Sequence, residues 1–151
     1  MLDTALTRDA WSLLVYKAQQ SLEARQQQLA QARARQVQIE ASEKRLAHLL
    51  QEYCERQQAS LFGGQLMADS LNDRQFIAQL QRLLDQARLA SAAAVRQTES
   101  DAAAVADARR ELEKAEKLRA KARSEERARQ ERRAQARQDE WAVMRFGRQD
   151  A

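Results

Sequence analysis

Ser60-Leu61-Phe62-Gly63-Gly64-Gln65 is the one place before the C-terminal end where the sequence stops reading as helix. Paired glycines disfavour helix and permit positive φ, so this segment predicts a turn. Outward from it in both directions the text is helical. The chain of 151 residues has no proline and three glycines, 32% of its residues are charged and 5% are aromatic. Ala, Gln, Arg, Glu and Leu dominate, the composition of long helices and coiled coils.

Heptad spacing sets the pairing. Alternating steps of four and three from Trp11 give Val15, Ala18, Leu22, Arg25, Leu29, Ala32, Gln36, Ile39, Glu43, Leu46, Leu50 and Tyr53, of which ten of thirteen are apolar. From Ile77 the walk gives Leu80, Leu84, Ala87, Ser91, Ala94, Thr98, Asp101, Val105, Ala108, Leu112 and Ala115. A narrow apolar stripe of this kind serves a helix pair, and its polar interruptions set register at some cost in stability. The expected fold is all-α: two long helices in an antiparallel coiled-coil hairpin, the second helix longer. Helix 1 is expected over about 5–58, a turn region over about 59–72 and helix 2 over about 73–146, all in one domain. Thr4 or Thr7 would cap the first helix, and Asn72 or Asp73 the second.

Folding at the glycines sets Tyr53 against Ile77, Leu50 against Leu80, Leu46 against Leu84 and Leu22 against Ala108. Arg25 comes within one layer of Asp101, a pair worth little if exposed. The register also leaves a remainder. Residues after about 125 have no first helix to lie against, and at about 1.5 Å per residue the overhang to Phe146 reaches roughly 30 Å. Its seam positions, Glu126, Arg129, Arg133, Ala136 and Glu140, are mostly charged, so they are not built for pairing within the chain.

Three features invite partners. Leu49, Phe76 and Leu83 lie beside the seam, and the connector adds Leu61, Phe62, Leu66, Met67 and Leu71. Two helices cannot bury them all, so they form a contact surface unless the connector folds back over them. The second is charge. Lys114 to Arg137 holds ten basic and four acidic residues, so this stretch carries +6 of a net +4, with −2 elsewhere. A basic helix attracts acidic protein, nucleic acid or anionic membrane, or is a solvated face with i,i+4 pairs such as Glu125 with Arg129. This basic stretch has no aromatic before Trp141 for base stacking, which weighs against nucleic acid. The third is the cluster Trp141, Val143, Met144 and Phe146, either a frayed end or an interface anchor.

Chemistry has little footing. His48 falls off the seam, Cys54 has no histidine within reach, and Gly63-Gly64 lacks the GK[ST] of a phosphate loop. No catalytic, cofactor-binding or metal-binding residue is expected, nor any cofactor, and the chain reads as a non-enzyme. The opening MLDTALTRDAW is no secretory signal, and the apolar run Leu13-Leu14-Val15-Tyr16 is far too short to span a bilayer. The expected setting is cytoplasmic, without membrane insertion.

With the hairpin and turn located, the sequence resembles the FliJ/YscO family of type III protein export. The resemblance is carried by Leu46-x-x-Leu49-x-x-x-Tyr53 before the turn, Asn72-x-x-Gln75-Phe76-Ile77-x-x-Leu80 after it, and the late Asp139-Glu140-Trp141-Ala142 among arginines. Arg74 stands where flagellar members often have an aromatic before the Gln-Phe pair, so flagellum and injectisome both stay open.

The resemblance implies a stalk or escort component at the base of a flagellum or injectisome, peripheral to the apparatus at the inner membrane. Its partners would be the hexameric export ATPase, the cytoplasmic domain of the FlhA-like export gate, and secretion chaperones, with no nucleic acid. Gate binding would fall to Leu49, Tyr53, Phe76, Leu80 and Leu83. Contact with the ATPase ring would fall to Trp11, Val15, Arg119, Arg123, Arg129, Arg133, Trp141 and Met144. The competing readings are a self-assembling structural coiled coil and a basic coiled coil that binds nucleic acid.

Overall fold

The computed structural model describes residues 2–64 and 67–149, with side-chain surroundings defined over 10–64 and 69–148. Two helices account for nearly all of it: α1, Leu2–Phe62, and α2, Met67–Gln149, 61 and 83 residues long. They pack against each other as an antiparallel hairpin with the second helix longer, and no strand occurs among the described residues.

Glutamine followed four residues later by an acid recurs along both helices. Gln36 donates to Glu40 at 2.9 Å, Gln51 to Glu55 at 3.2 Å, Gln81 to Asp85 at 3.1 Å and Gln97 to Asp101 at 3.1 Å. Such pairs each add about 0.2–0.5 kcal/mol of local helix stability. The helices extend closer to the turn than the sequence reading placed them. Residues 59–62 and 67–72 are helical, so Asn72 and Asp73 lie inside α2 and do not cap it, and Thr4 and Thr7 lie inside α1. At the turn, Gly63 N–H donates to the Ser60 carbonyl at 3.1 Å, and Gly64 takes φ +75°. Asp69 sits in the first turn of α2, where a carboxylate interacts favourably with the helix dipole.

The hairpin divides into two compact units, Arg25–Val105 and Met1–Ala24 with Ala106–Ala151. In the unit next to the turn, Leu29, Ala32, Leu80, Leu84, Ser91 and Val105 are buried. In the other, Val15, Ala108 and Ala115 are buried. Every buried side chain among the described residues lies on one of the two heptad walks. Burial of a Val or Leu contributes roughly 1.5–3 kcal/mol, so the leucines carry the unit next to the turn while the alanines mainly let the backbones approach.

The cross-hairpin contacts fix the register. The Tyr53 and Phe76 rings meet with centroids 4.6 Å apart, one residue from the expected pairing of Tyr53 with Ile77. Ser91 Oγ donates to Glu43 Oε2 at 2.5 Å, one helical turn from the expected opposite number of Glu43, a distance the long glutamate side chain spans. One expected contact is absent. Arg25 is exposed and donates to Gln28 at 3.5 Å, while Asp101 accepts from Gln97. A guanidinium held in water gains little by crossing the seam.

Candidate functional site: two uncovered surfaces

The first surface lies beside the turn. Tyr53, half-buried, stacks on Phe76 at a tilt of 57°, and the Arg56 guanidinium lies 5.4 Å from the Tyr53 ring centroid. Phe76 remains 38% and Leu83 49% exposed, while Leu49 is half-buried. In the heptad these three occupy the same flanking position, so they share one edge of the hairpin. Leu61, Phe62 and Leu71 are also exposed, Phe62 at 95%, so the described part of the connector does not cover the patch. Leu66 and the Met67 side chain lie outside the described residues.

Leu80 belongs elsewhere. At 3% exposure it is sealed between the helices, and so is Val15 at 2%. The family resemblance implies both on partner surfaces, Leu80 through its motif and Val15 through the first turns of the chain. Their chemistry is that of seam residues, which no partner can touch while the hairpin is closed.

The second surface is the far part of α2. Arg119, Ala122 and Glu126 are still half-buried, and from Arg129 to Arg148 every residue is exposed. Trp11 is half-buried, and Arg123, Arg129 and Arg133 are exposed. Trp141, Val143, Met144 and Phe146 are each about 70% exposed, and a shallow depression is lined by Arg137, Gln138, Trp141, Ala142, Arg145 and Phe146. Past Lys114, no Lys or Arg among the described residues forms an ion pair, so the Glu125–Arg129 pair is not made. The one side-chain bond there joins Gln135 to Asp139 at 3.4 Å.

The sequence reading did not single out Leu14, Tyr16 and Leu118, all exposed near the open end. The signal was present in the run Leu13–Tyr16: of four consecutive apolar residues on a helix, only one can point into the seam. Arg137 and Arg145 also went unassigned, although they stand four residues on either side of Trp141.

The remaining candidates are surface features. His48 lies 3.2 Å from Glu52 on an exposed face, and Cys54 is a half-buried free thiol. Among the described residues no group of acids, histidine and cysteine is placed to hold a metal, and no helix is long and apolar enough to cross a membrane.

The class defined by these observations is an antiparallel two-helix hairpin with an uncovered apolar edge at its turn and an uncovered basic helix beyond its seam. A family model described as flagellar FliJ protein matches residues 10–151, while no curated protein and no solved structure matches. With nearly the whole chain covered, this protein belongs to the FliJ family. It is a flagellar export-related protein, in a family of non-catalytic export components.

Proposed function

We propose that this chain links the flagellar export ATPase ring to the cytoplasmic domain of the export gate, and handles the chaperones that deliver export substrates, with no chemistry of its own. The setting is the cytoplasmic face of the inner membrane. The observation that carries the reading is that each unit of the hairpin bears one unpartnered surface of distinct chemistry. Phe76 and Leu83, edged by Leu49 and Tyr53, offer an apolar ridge to the gate. Arg123, Arg129, Arg133, Trp141 and Met144, with Trp11 and Arg119 at their base, offer a charged and aromatic helix to the ring.

The test uses two variants of the full chain against the purified gate domain and the purified ATPase. Phe76→Ala with Leu83→Ala is expected to lose the gate domain and keep the ATPase. Arg129→Ala with Arg133→Ala and Trp141→Ala is expected to do the reverse. All these positions are exposed, so helicity by circular dichroism should persist in both. If both variants bind both partners as the parent does, the assignment is wrong.

A further inference from the structure

Arg129, Arg133, Arg137, Trp141 and Arg145 follow one another at every fourth position. On an α-helix such a row forms a single ridge, here about 24 Å long from the first arginine to the last. All five side chains are exposed, and none of the arginines forms an ion pair. Of the acids in the same segment, Glu131 and Asp139 fall on the opposite side of the helix, Glu126 and Glu140 flank the row, and Glu125 continues it at its N-terminal end. Trp141, 72% exposed, is set between Arg137 and Arg145 over the depression that they line with Phe146.

We propose that this ridge docks against an acidic α-helix of a partner protein, with carboxylates repeating at the fourth-residue spacing and an apolar gap that receives Trp141. The proposal rests on the reading of the overhang as the ATPase-facing element and names the chemistry required on the partner's side. Ridges formed by residues four apart pack into the matching grooves of another helix, which brings like-spaced side chains of the two helices together where they cross. Guanidinium groups favour carboxylates because their planar donors match both oxygens.

A one-line ridge also tells among polyanions. An anionic bilayer presents charge over a plane, and the basic helix that lies on one keeps its apolar residues together on one face. Here Trp141, Val143 and Met144 are spread around the helix and are not gathered on one face. For single-stranded nucleic acid, one tryptophan gives no stacking series.

The test titrates the full-length protein into fluorescently labelled probes. One is an Ala-rich helical peptide with Glu at every fourth position and Leu at its centre, and another has the same composition scrambled. Vesicles containing phosphatidylglycerol and a single-stranded DNA oligomer complete the set. The spaced peptide is expected to bind about tenfold more tightly than the scrambled one, and Arg133→Gln with Arg137→Gln to lower its affinity by about tenfold or more. Arg133→Glu with Arg137→Glu should abolish that binding and bind the peptide carrying Lys in place of Glu.

Equal binding of spaced and scrambled peptides, or preference for vesicles or DNA, would overturn the proposal, as would failure of the charge exchange. The two readings separate cleanly. If the ridge variants lose the peptide yet keep the purified ATPase, the ridge stands and the ATPase assignment fails. If they lose the ATPase while the parent ignores the spaced peptide, the acidic-helix chemistry fails and the ATPase assignment stands.

Discussion

The Ser91 hydroxyl crosses the hairpin to the Glu43 carboxylate at 2.5 Å, and Ser91 is the only polar side chain among the described residues that is buried. Each residue taken alone interrupts an apolar stripe. Together they satisfy each other and mark one register, since sliding the helices by a heptad would leave Glu43 against Leu84 or Thr98. Ser91→Ala removes a bond to a charged acceptor and gains helix propensity, so a net loss of about 1 kcal/mol is expected in urea unfolding. Ser91→Ala combined with Glu43→Leu should recover that loss or exceed it, because an apolar pair is no worse than a buried polar one. A double variant less stable than the single would show that Glu43 has a further role.

Leu84 and Leu83 are neighbours in sequence with opposite fates. Leu84 is 2% exposed and Leu83 49%. Leu84→Ala should cost about 2–4 kcal/mol, through lost burial and the void left between the helices, and Leu80→Ala a similar amount. Leu83→Ala should stay within about 0.5 kcal/mol. Thermal melts followed by circular dichroism distinguish the two. The contrast bears on function: a binding loss in a Leu80 variant reports a damaged seam, whereas one in a Leu83 variant reports a lost contact.

The two turn glycines are not equivalent. Gly64 holds φ +75° with nothing within 4 Å of an added Cβ, so its need is for the dihedral alone. At Gly63 an added Cβ would meet only the Ala59 and Ser60 carbonyl oxygens at 3.8 and 3.9 Å, ordinary contact distances. Gly64→Ala should therefore destabilise by about 1–2 kcal/mol, the penalty for a left-handed L residue, with Gly64→Asn less harmful. Gly63→Ala should be close to neutral. Equal effects at both positions would contradict this division.

Much of this architecture is legible in the sequence because a coiled coil writes its core as a period. The walks from Trp11 and Ile77 include Val15, Leu29, Leu80, Leu84, Val105 and every other buried side chain described. What the period cannot state is where helix ends. Ala59–Phe62 and the residues after Met67 are helical, and polar residues such as Asn72 can sit inside a helix as readily as cap it. Nor does a motif say which of its residues are free. Leu80 and Phe76 share one motif, yet the first is seam and the second edge, a difference settled by rotation about the helix axis. The Ser91–Glu43 bond was hidden because serine in a seam reads as a defect until its partner is located.

The overhang supplies the most decisive prediction about stability. From Arg129 to Arg148 every side chain is exposed, and the one side-chain bond in that span, Gln135 to Asp139, is internal to it. Such a segment contributes local helix and nothing to the seam. Ending the chain after Ala128 should therefore leave the melting midpoint of the remaining hairpin within a few degrees of the parent, while the helical signal falls in proportion to the residues removed. Removing the same number of residues from the other end takes away Val15, which is 2% exposed, and should lower the midpoint well beyond that. A large drop on trimming α2 alone would mean that the overhang folds back on its own hairpin in solution, and the basic ridge would then be an internal contact with no partner to seek.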